Sequence, residues 1–372
     1  MLEIDLTNPA VIRDPFTAYR GTPRVVRLAV PGMPMWALTR YDDARAMLTD
    51  PRFAITARSF AGIPGVPDGY DEYLRTMSEL DGPDHLRLRR LAAPAFTARR
   101  AQDFRRDVEP IVDKLLADPP TDLVRDFARP LPIHVICELV GIPAKDRSDW
   151  LEWGAIVAAF DAPRLGEAIP GIIESARALL EARPETGLLA DLLGARDRLT
   201  DTELVTLVWH LVLAGQTPAN LIANAVAELW SRPDVLARLR ADPALLPGAV
   251  DELMRWCGPQ LLTVPRYAVS DVELYGTVVR AGEPVTVAIA AANRDPAAFL
   301  DPDRFDITRN AATHLGFGHG PHFCLGAAHA RVQTEVALSS LLRTNLTLTA
   351  DPAGFRAPDP GTWRLTALPV RV

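Results

Sequence analysis

Cysteine and lysine are both scarce in this chain of 372 residues. Cys137, Cys257 and Cys324 are an odd number at long, irregular spacings, too few to staple so large a protein, which excludes an extracellular disulfide framework. Lysine occurs only at Lys114 and Lys145, so nearly all positive charge is arginine, and Lys+Arg 40 against Asp+Glu 47 leaves a net charge of −7. A net-acidic chain offers no general phosphate-tracking surface, so nucleic acid is not an expected partner. Long apolar runs are missing too. The longest, Leu204 to Gly215, is interrupted by Thr206 and His210 and reads as a buried helix rather than a membrane span. The opening MLEIDLTNP is acidic and soon meets proline, unlike a signal peptide. These absences together predict a cytoplasmic protein without a membrane partner.

No internal repeat, low-complexity tract or linker divides the sequence, and residues 1–372 read as a single domain. RVVRLAV and MWALT flank the turn PGMP as a short hairpin, followed by a helix from Tyr41 to Leu48 and an irregular loop over 57–80. From Pro83 to about Leu245 the pattern is mostly helical, with Pro130, Pro143, Pro163 and Pro233 at helix starts, and Asp251 to Trp256 continues helical. VELYGTVVRAGEPVTVAIA alternates around Gly276 and Gly282 as a β-hairpin would, and WRLTALPVRV adds a terminal strand. The expected fold is mainly α with a small β part.

The most informative segment is LGFGHGPHFCLGAAHARVQTEVALSSLL. Three glycines fall between Gly316 and Gly320, then Cys324, then an apolar-periodic helix to about Leu342. A cysteine at a helix start sits by unpaired N–H groups and the positive end of the helix dipole, an arrangement that lowers thiol pKa and suits a metal-ligating thiolate. Two other readings stay open from these residues alone. His314, His319, His322 and His329 are close enough in sequence for a zinc site, and a lone cysteine can simply pack as a small hydrophobe.

The run Phe317, Gly318, His319, Gly320, Pro321, His322, Phe323, Cys324, Leu325, Gly326 resembles the haem-binding signature of the cytochrome P-450 family, F-G-x-G-x-H-x-C-x-G. The resemblance implies a single haem-enclosing domain with haem b ligated by the Cys324 thiolate. It also implies Phe317 packed under the porphyrin and glycines, Gly326 among them, that bring backbone N–H groups to the sulfur. Thiolate donation favours O–O cleavage, so the implied activity is monooxygenation of a lipophilic small molecule with O2, in bacterial secondary metabolism. Upstream, Glu252 and Arg255 in DELMR resemble the family's E-x-x-R pair, completed by Arg304 in FLDPDRFD. His85 and Arg89 resemble its H-x-x-x-R element, and with Arg266 and His322 they form an expected set of propionate partners.

The sequence departs from the family at LVLAGQTPANLIANAV, which resembles the oxygen-activation helix, A-G-x-[DE]-T-T. Ala214, Gly215 and Gln216 fit, but Thr217 replaces the acid, and Pro218 and Ala219 replace the two alcohols. Pro218 lacks an N–H, so the Ala214 carbonyl is expected to lose its donor and, freed, to hold a water, with Thr217 or Gln216 delivering protons. The departure leaves oxidative coupling or peroxide use as alternative outcomes, and a non-catalytic haem- or zinc-binding module as an alternative of another class. His210, four residues before Ala214, shares its helical face and reads either as a pocket residue or as a histidine satisfied in the core. Leu261 and Val264, the loop Ser59 to Tyr70 and the region of Phe160 complete the expected pocket. No dinucleotide fingerprint is present, so a ferredoxin and an NAD(P)H-dependent ferredoxin reductase are the implied electron donors. Arg87, Arg90, Arg99 and Arg100 form a candidate docking face for them.

Overall fold

The computed structural model describes residues 2–30, 32–56, 66–159, 162–182, 187–194, 199–359 and 361–372. Helices dominate, and the β part is small, as the alternation of patterns requires. Ten short strands are present among these residues: β1 (Glu3–Asp5), β2 (Val25–Ala29), β3 (Met35–Leu38), β4 (Phe53–Ala54), β5 (Arg266–Ala268), β6 (Val272–Leu274), β7 (Thr277–Val279), β8 (Pro284–Val287), β9 (Thr347–Leu348) and β10 (Val370–Arg371). Six of them form one sheet in the order β1-β2-β3-β8-β5-β4. The expected hairpin is β2 against β3, with Val25 opposite Leu38 and Leu28 opposite Met35. The terminal strand β10 pairs with β9.

The segment around Gly276 and Gly282 is not one hairpin. Tyr275 and Gly276 both adopt positive φ (51° and 82°), the geometry of a tight two-residue turn, and β6 and β7 pair across it. Gly282, also at positive φ (78°), instead turns the chain away, so that β8 joins β3 in parallel and β5 antiparallel. Alternation marks a half-buried strand but not its partner.

Proline places several helix starts as expected. Pro130 opens Pro130–Val140 and Pro233 opens Pro233–Ala241, where a missing N–H costs nothing. Asp81 caps Gly82–Ala92 by accepting from the Gly82 N–H at 2.9 Å. The largest core cluster lies where helix Pro218–Trp230 meets Leu246–Cys257 and Ala327–Leu342, joined by residues of β2 and β3. A second gathers Pro130–Val140, Ala162–Glu181 and Asp201–Ala214. The face each leaves open toward the other bounds the cavity described next. Among the described residues, no helix is long and apolar enough to cross a membrane.

Candidate active site

Between these two packed regions lies a cavity of about 380 Å³. Its lining brings together Cys324, Phe317, Gly326, His85, Arg89, Arg266 and His322, seven residues drawn from 85 to 326 in sequence. Met77, Ile136, Leu139, Leu211 and Leu262 supply apolar wall.

The cysteine loop is held by its backbone. The Gly318 N–H donates to Leu315 O and the Cys324 N–H to Phe317 O at 2.8 Å, closing the loop. Gly318 and Gly320 both sit at φ 73°, a region that L side chains rarely adopt, and a Cβ on Gly320 would stand 2.8 Å from Thr49 Cγ2. Regular helix begins at Ala327, three residues after the cysteine, with Gly326 as its cap. Cys324 is exposed, but onto the cavity. Burial pushes its thiol pKa up, opposed by a hydrogen bond from the Gly326 N–H and the charges of Arg89 and Arg331. The expected lowering is not reached, because the helix start and arginines oppose desolvation without overcoming it. A cation at the sulfur would have to supply the remainder.

The basic side chains lie along one edge of the cavity. Arg266, on β5, is only 4% exposed, and among the described residues it forms no ion pair. Burial lowers its pKa, partly offset by the charge of Asp81. His85 and His322 stack at 3.9 Å between ring centroids, and His322 Nε2 lies 3.3 Å from Asp81 Oδ1. Among the described residues His85 Nδ1 is buried without a partner, and desolvation, then His322 and Arg89, push its pKa down to about 4. Arg89 donates to the Phe323 carbonyl beside the cysteine. A buried guanidinium without an anion and an orphaned imidazole nitrogen are costly unless an anionic group joins them. The arrangement fits a large, flat, mostly apolar group with anions on one edge and a thiolate-seeking metal at its centre, which is the chemistry of haem.

The histidines of the zinc reading do not converge. His314 Nε2 faces Asp251 at 3.5 Å, His322 stacks on His85, and His329 packs edge-on against Phe96 at 5.3 Å. Among the described residues no three His, Cys, Asp or Glu are grouped to hold a metal ion.

Glu252 and Arg255 form a fully buried pair, Arg255 Nε to Glu252 Oε2 at 2.6 Å and a second bond to Oε1 at 2.9 Å. Arg304 does not complete it: its side chain is 65% exposed and reaches Asp306. Arg309 does, with Nε 3.3 Å from Glu252 Oε1. Arg304 offers only its carbonyl, which accepts from Arg309 at 3.0 Å. The segment after Pro302 folds back so that its second arginine points inward.

At the segment that resembles an oxygen-activation helix, the chain divides into Asp201–Ala214 and Pro218–Trp230. Between them Gln216, Thr217, Ala219 and Asn220 donate three residues back instead of four, a tightened turn forced by the missing Pro218 N–H. Gly215 lets Ile136 approach, since a Cβ there would meet Ile136 Cγ1 at 2.5 Å. The Ala214 carbonyl is not left free, because it accepts from the Thr217 N–H at 3.3 Å and from Thr217 Oγ1 at 3.0 Å. Thr217 and Ala214 line the cavity, but Gln216 does not. Its amide turns toward Gly154, where a side chain would collide with it at 2.3 Å. Val264 lines the cavity, whereas Leu261 is buried in the adjoining core with its N–H on Gly361 O. Phe160 and residues 59–65 of the expected pocket lie outside the described residues.

His210 faces the cavity, with Nε2 3.0 Å from Ser78 Oγ. Ser78 and Asp81 carried no motif of their own, although Asp81 stands before Gly-Pro as a helix cap would. Of the candidate docking arginines, Arg87 pairs with Glu203 and Arg100 with Asp191. Their charge is locally compensated.

A cytochrome P450 family model matches residues 164–353. Cytochrome P450 107B1 of Saccharopolyspora erythraea is 39% identical over 361 residues, spanning 91% of this chain and 88% of that protein. The mycinamicin IV hydroxylase/epoxidase of Micromonospora griseorubida is 42% identical over 329 residues, spanning 84% of this chain and 82% of its own. The solved structure of the tirandamycin C-bound P450 monooxygenase TamI superposes with a TM-score of 0.85 at 34% identity, covering 100% of both chains.

Proposed function

The chain belongs to the cytochrome P450 family, and from that membership we propose that it is a haem-thiolate monooxygenase oxidising a lipophilic small molecule of secondary metabolism. Cys324 would ligate the iron of haem b, Phe317 would pack beneath the macrocycle, Gly326 would bring its N–H to the sulfur, and His85, Arg89, Arg266 and His322 would hold the propionates. The observation that carries this reading is the buried Arg266, without an ion pair among the described residues, on the same cavity as Cys324. When bound, the haem supplies dioxygen activation, with thiolate donation favouring O–O cleavage. The apolar wall excludes water and orients the substrate. Relatives named for mycinamicin IV or solved with tirandamycin C support a natural-product substrate. We take the whole of 1–372 as one cytoplasmic domain supplied with electrons by a ferredoxin and its NAD(P)H-dependent reductase.

A second reading, peroxide use or oxidative coupling, is favoured by the altered helix. No acid stands at position 217, and the Thr217 hydroxyl is engaged with the Ala214 carbonyl. The test of the main reading is the absorption spectrum of the reduced protein under carbon monoxide. A red-shifted Soret band that disappears in Cys324→Ala supports it, and its absence from the native protein refutes both readings. Turnover with peroxide alone, without reductase, selects the second.

A further inference from the structure

The cavity wall also carries a polar pair, Ser78 and His210, outside the set proposed to hold the haem. Ser78 lies in the short turn Met77–Glu79, and His210 in helix Asp201–Ala214. The turn is built to stay in place. Thr76 and Glu79 cap it reciprocally, and the preceding Tyr73 carbonyl accepts from Thr206 Oγ1 at 3.2 Å and Trp209 Nε1 at 3.0 Å. Arg177 donates to the Tyr73 hydroxyl at 2.6 Å. Three bonds from two other helices thus fix the segment that carries Ser78.

The hydrogen-bond inventory decides what Ser78 presents. Burial pushes the His210 pKa down to about 4, so the imidazole is neutral and carries one N–H. Its Nδ1 is buried without a partner among the described residues. A proton there would leave a buried donor unpaired, so the proton belongs on Nε2, donating to Ser78 Oγ. Ser78 Oγ makes no other hydrogen bond among the described residues. Its own O–H is therefore free to donate, and the open space beside it is the cavity.

We propose that Ser78, oriented by His210, is a specificity-determining donor that recognises an oxygen acceptor, such as a ketone or lactone carbonyl, on an otherwise apolar substrate. His210 acts as a positioning residue. The inference rests on this cavity being the substrate site of the proposed function.

The test is a pair of probes of one shape, cyclododecanone and methylenecyclododecane, titrated into the haem-loaded full chain. Binding is read by equilibrium dialysis, with the haem absorption shift as a second readout. The native protein should favour the ketone by about fivefold, the worth of one neutral hydrogen bond. Ser78→Ala should bring the ratio to about one while leaving the hydrocarbon's affinity within about twofold. Ser78→Thr should restore the preference, and His210→Phe, which keeps a ring but no N–H, should lower it. Equal binding of the two probes by the native protein, or a preference that survives Ser78→Ala, overturns the proposal. Dialysis does not depend on the iron's ligand. A missing thiolate spectrum would therefore refute the haem-thiolate reading without erasing the ketone preference.

Discussion

Removing the side chain of Arg309 should damage the fold far more than removing that of Arg304, although Arg304 is the one in the family-like motif. The Glu252 carboxylate is fully buried and receives four donors: Arg255 Nε at 2.6 Å, Arg255 Nη2 at 2.9 Å, the Asp306 N–H at 3.0 Å and Arg309 Nε at 3.3 Å. Arg309 is only 10% exposed and also donates to the carbonyls of Asp301 and Arg304, each at 3.0 Å. Water can replace it at those partly exposed carbonyls. At Glu252 it cannot, and a charge-assisted bond to a buried carboxylate is worth about 1.5–3 kcal/mol. Arg309→Leu should therefore cost about 2–3 kcal/mol, roughly a 30- to 150-fold loss in the folding constant. Arg304→Leu loses one exposed contact to Asp306 and should cost at most about 0.5 kcal/mol. The assay is urea unfolding followed by tryptophan fluorescence on proteins matched for haem content. Equal midpoints for the two variants, or a native-like midpoint for Arg309→Leu, would refute the assignment of Arg309 as the inward partner.

Three further outcomes follow from the cavity. Arg266→Leu should act with opposite signs on two states: it removes a buried unpaired cation, so the haem-free chain gains stability, while haem dissociates roughly tenfold to a hundredfold faster for want of a charge-assisted bond. Unchanged haem release rates would count against Arg266 as a propionate partner. Thr217→Val removes the hydroxyl that caps the Ala214 carbonyl, so it should destabilise by about 1 kcal/mol and lower product formed per reductant consumed, with Thr217→Ser close to native. Unaltered coupling would exclude the Thr217 hydroxyl from proton delivery. His210 is held neutral when folded, with its pKa near 4 against 6.5 when free, so the unfolded chain binds the extra proton between those values. Its contribution is complete above pH 6.5 and lost as pH falls toward 4. His210→Phe should therefore flatten the acid limb of a stability–pH curve by up to about 1.4 kcal/mol per pH unit, and an unchanged slope there would refute the burial argument.

The sequence was most legible where function is built from neighbours. The cysteine loop from Phe317 to Gly326 carries its own constraints, since positive-φ glycines and a helix start are local events. Glu252 and Arg255, one turn apart, were legible for the same reason. The third member of their network was not. Arg304 and Arg309 are equally basic, and only the return of the chain after Pro302 decides which one faces Glu252. Gln216 and Thr217 are neighbours in sequence, yet successive positions of a three-residue turn point about 120° apart, so one meets Gly154 and the other the cavity. Ser78 gave no signal, because its meaning comes from His210, 132 residues away. At Cys324 the local backbone and nearby arginines do lower the thiol pKa, but burial, which a local motif does not report, outweighs them.

The pairing of β3 with β8 sets an order of events during synthesis. Trp36 aligns with Val285 and Leu38 with Val287, so the N-terminal hairpin waits through some 250 residues of chain for the strand that completes its sheet. An unpaired strand edge is a template for wrong partners, and closing so long a loop is slow. The cysteine loop follows β8, so it emerges only after that edge can be covered. A ribosome-bound chain truncated before β8 would therefore expose both a bare sheet edge and an unfinished cavity, and would be a natural target for chaperones. The cavity's cysteine wall is thus the late half of the site, added to a sheet whose early strands already have their partner.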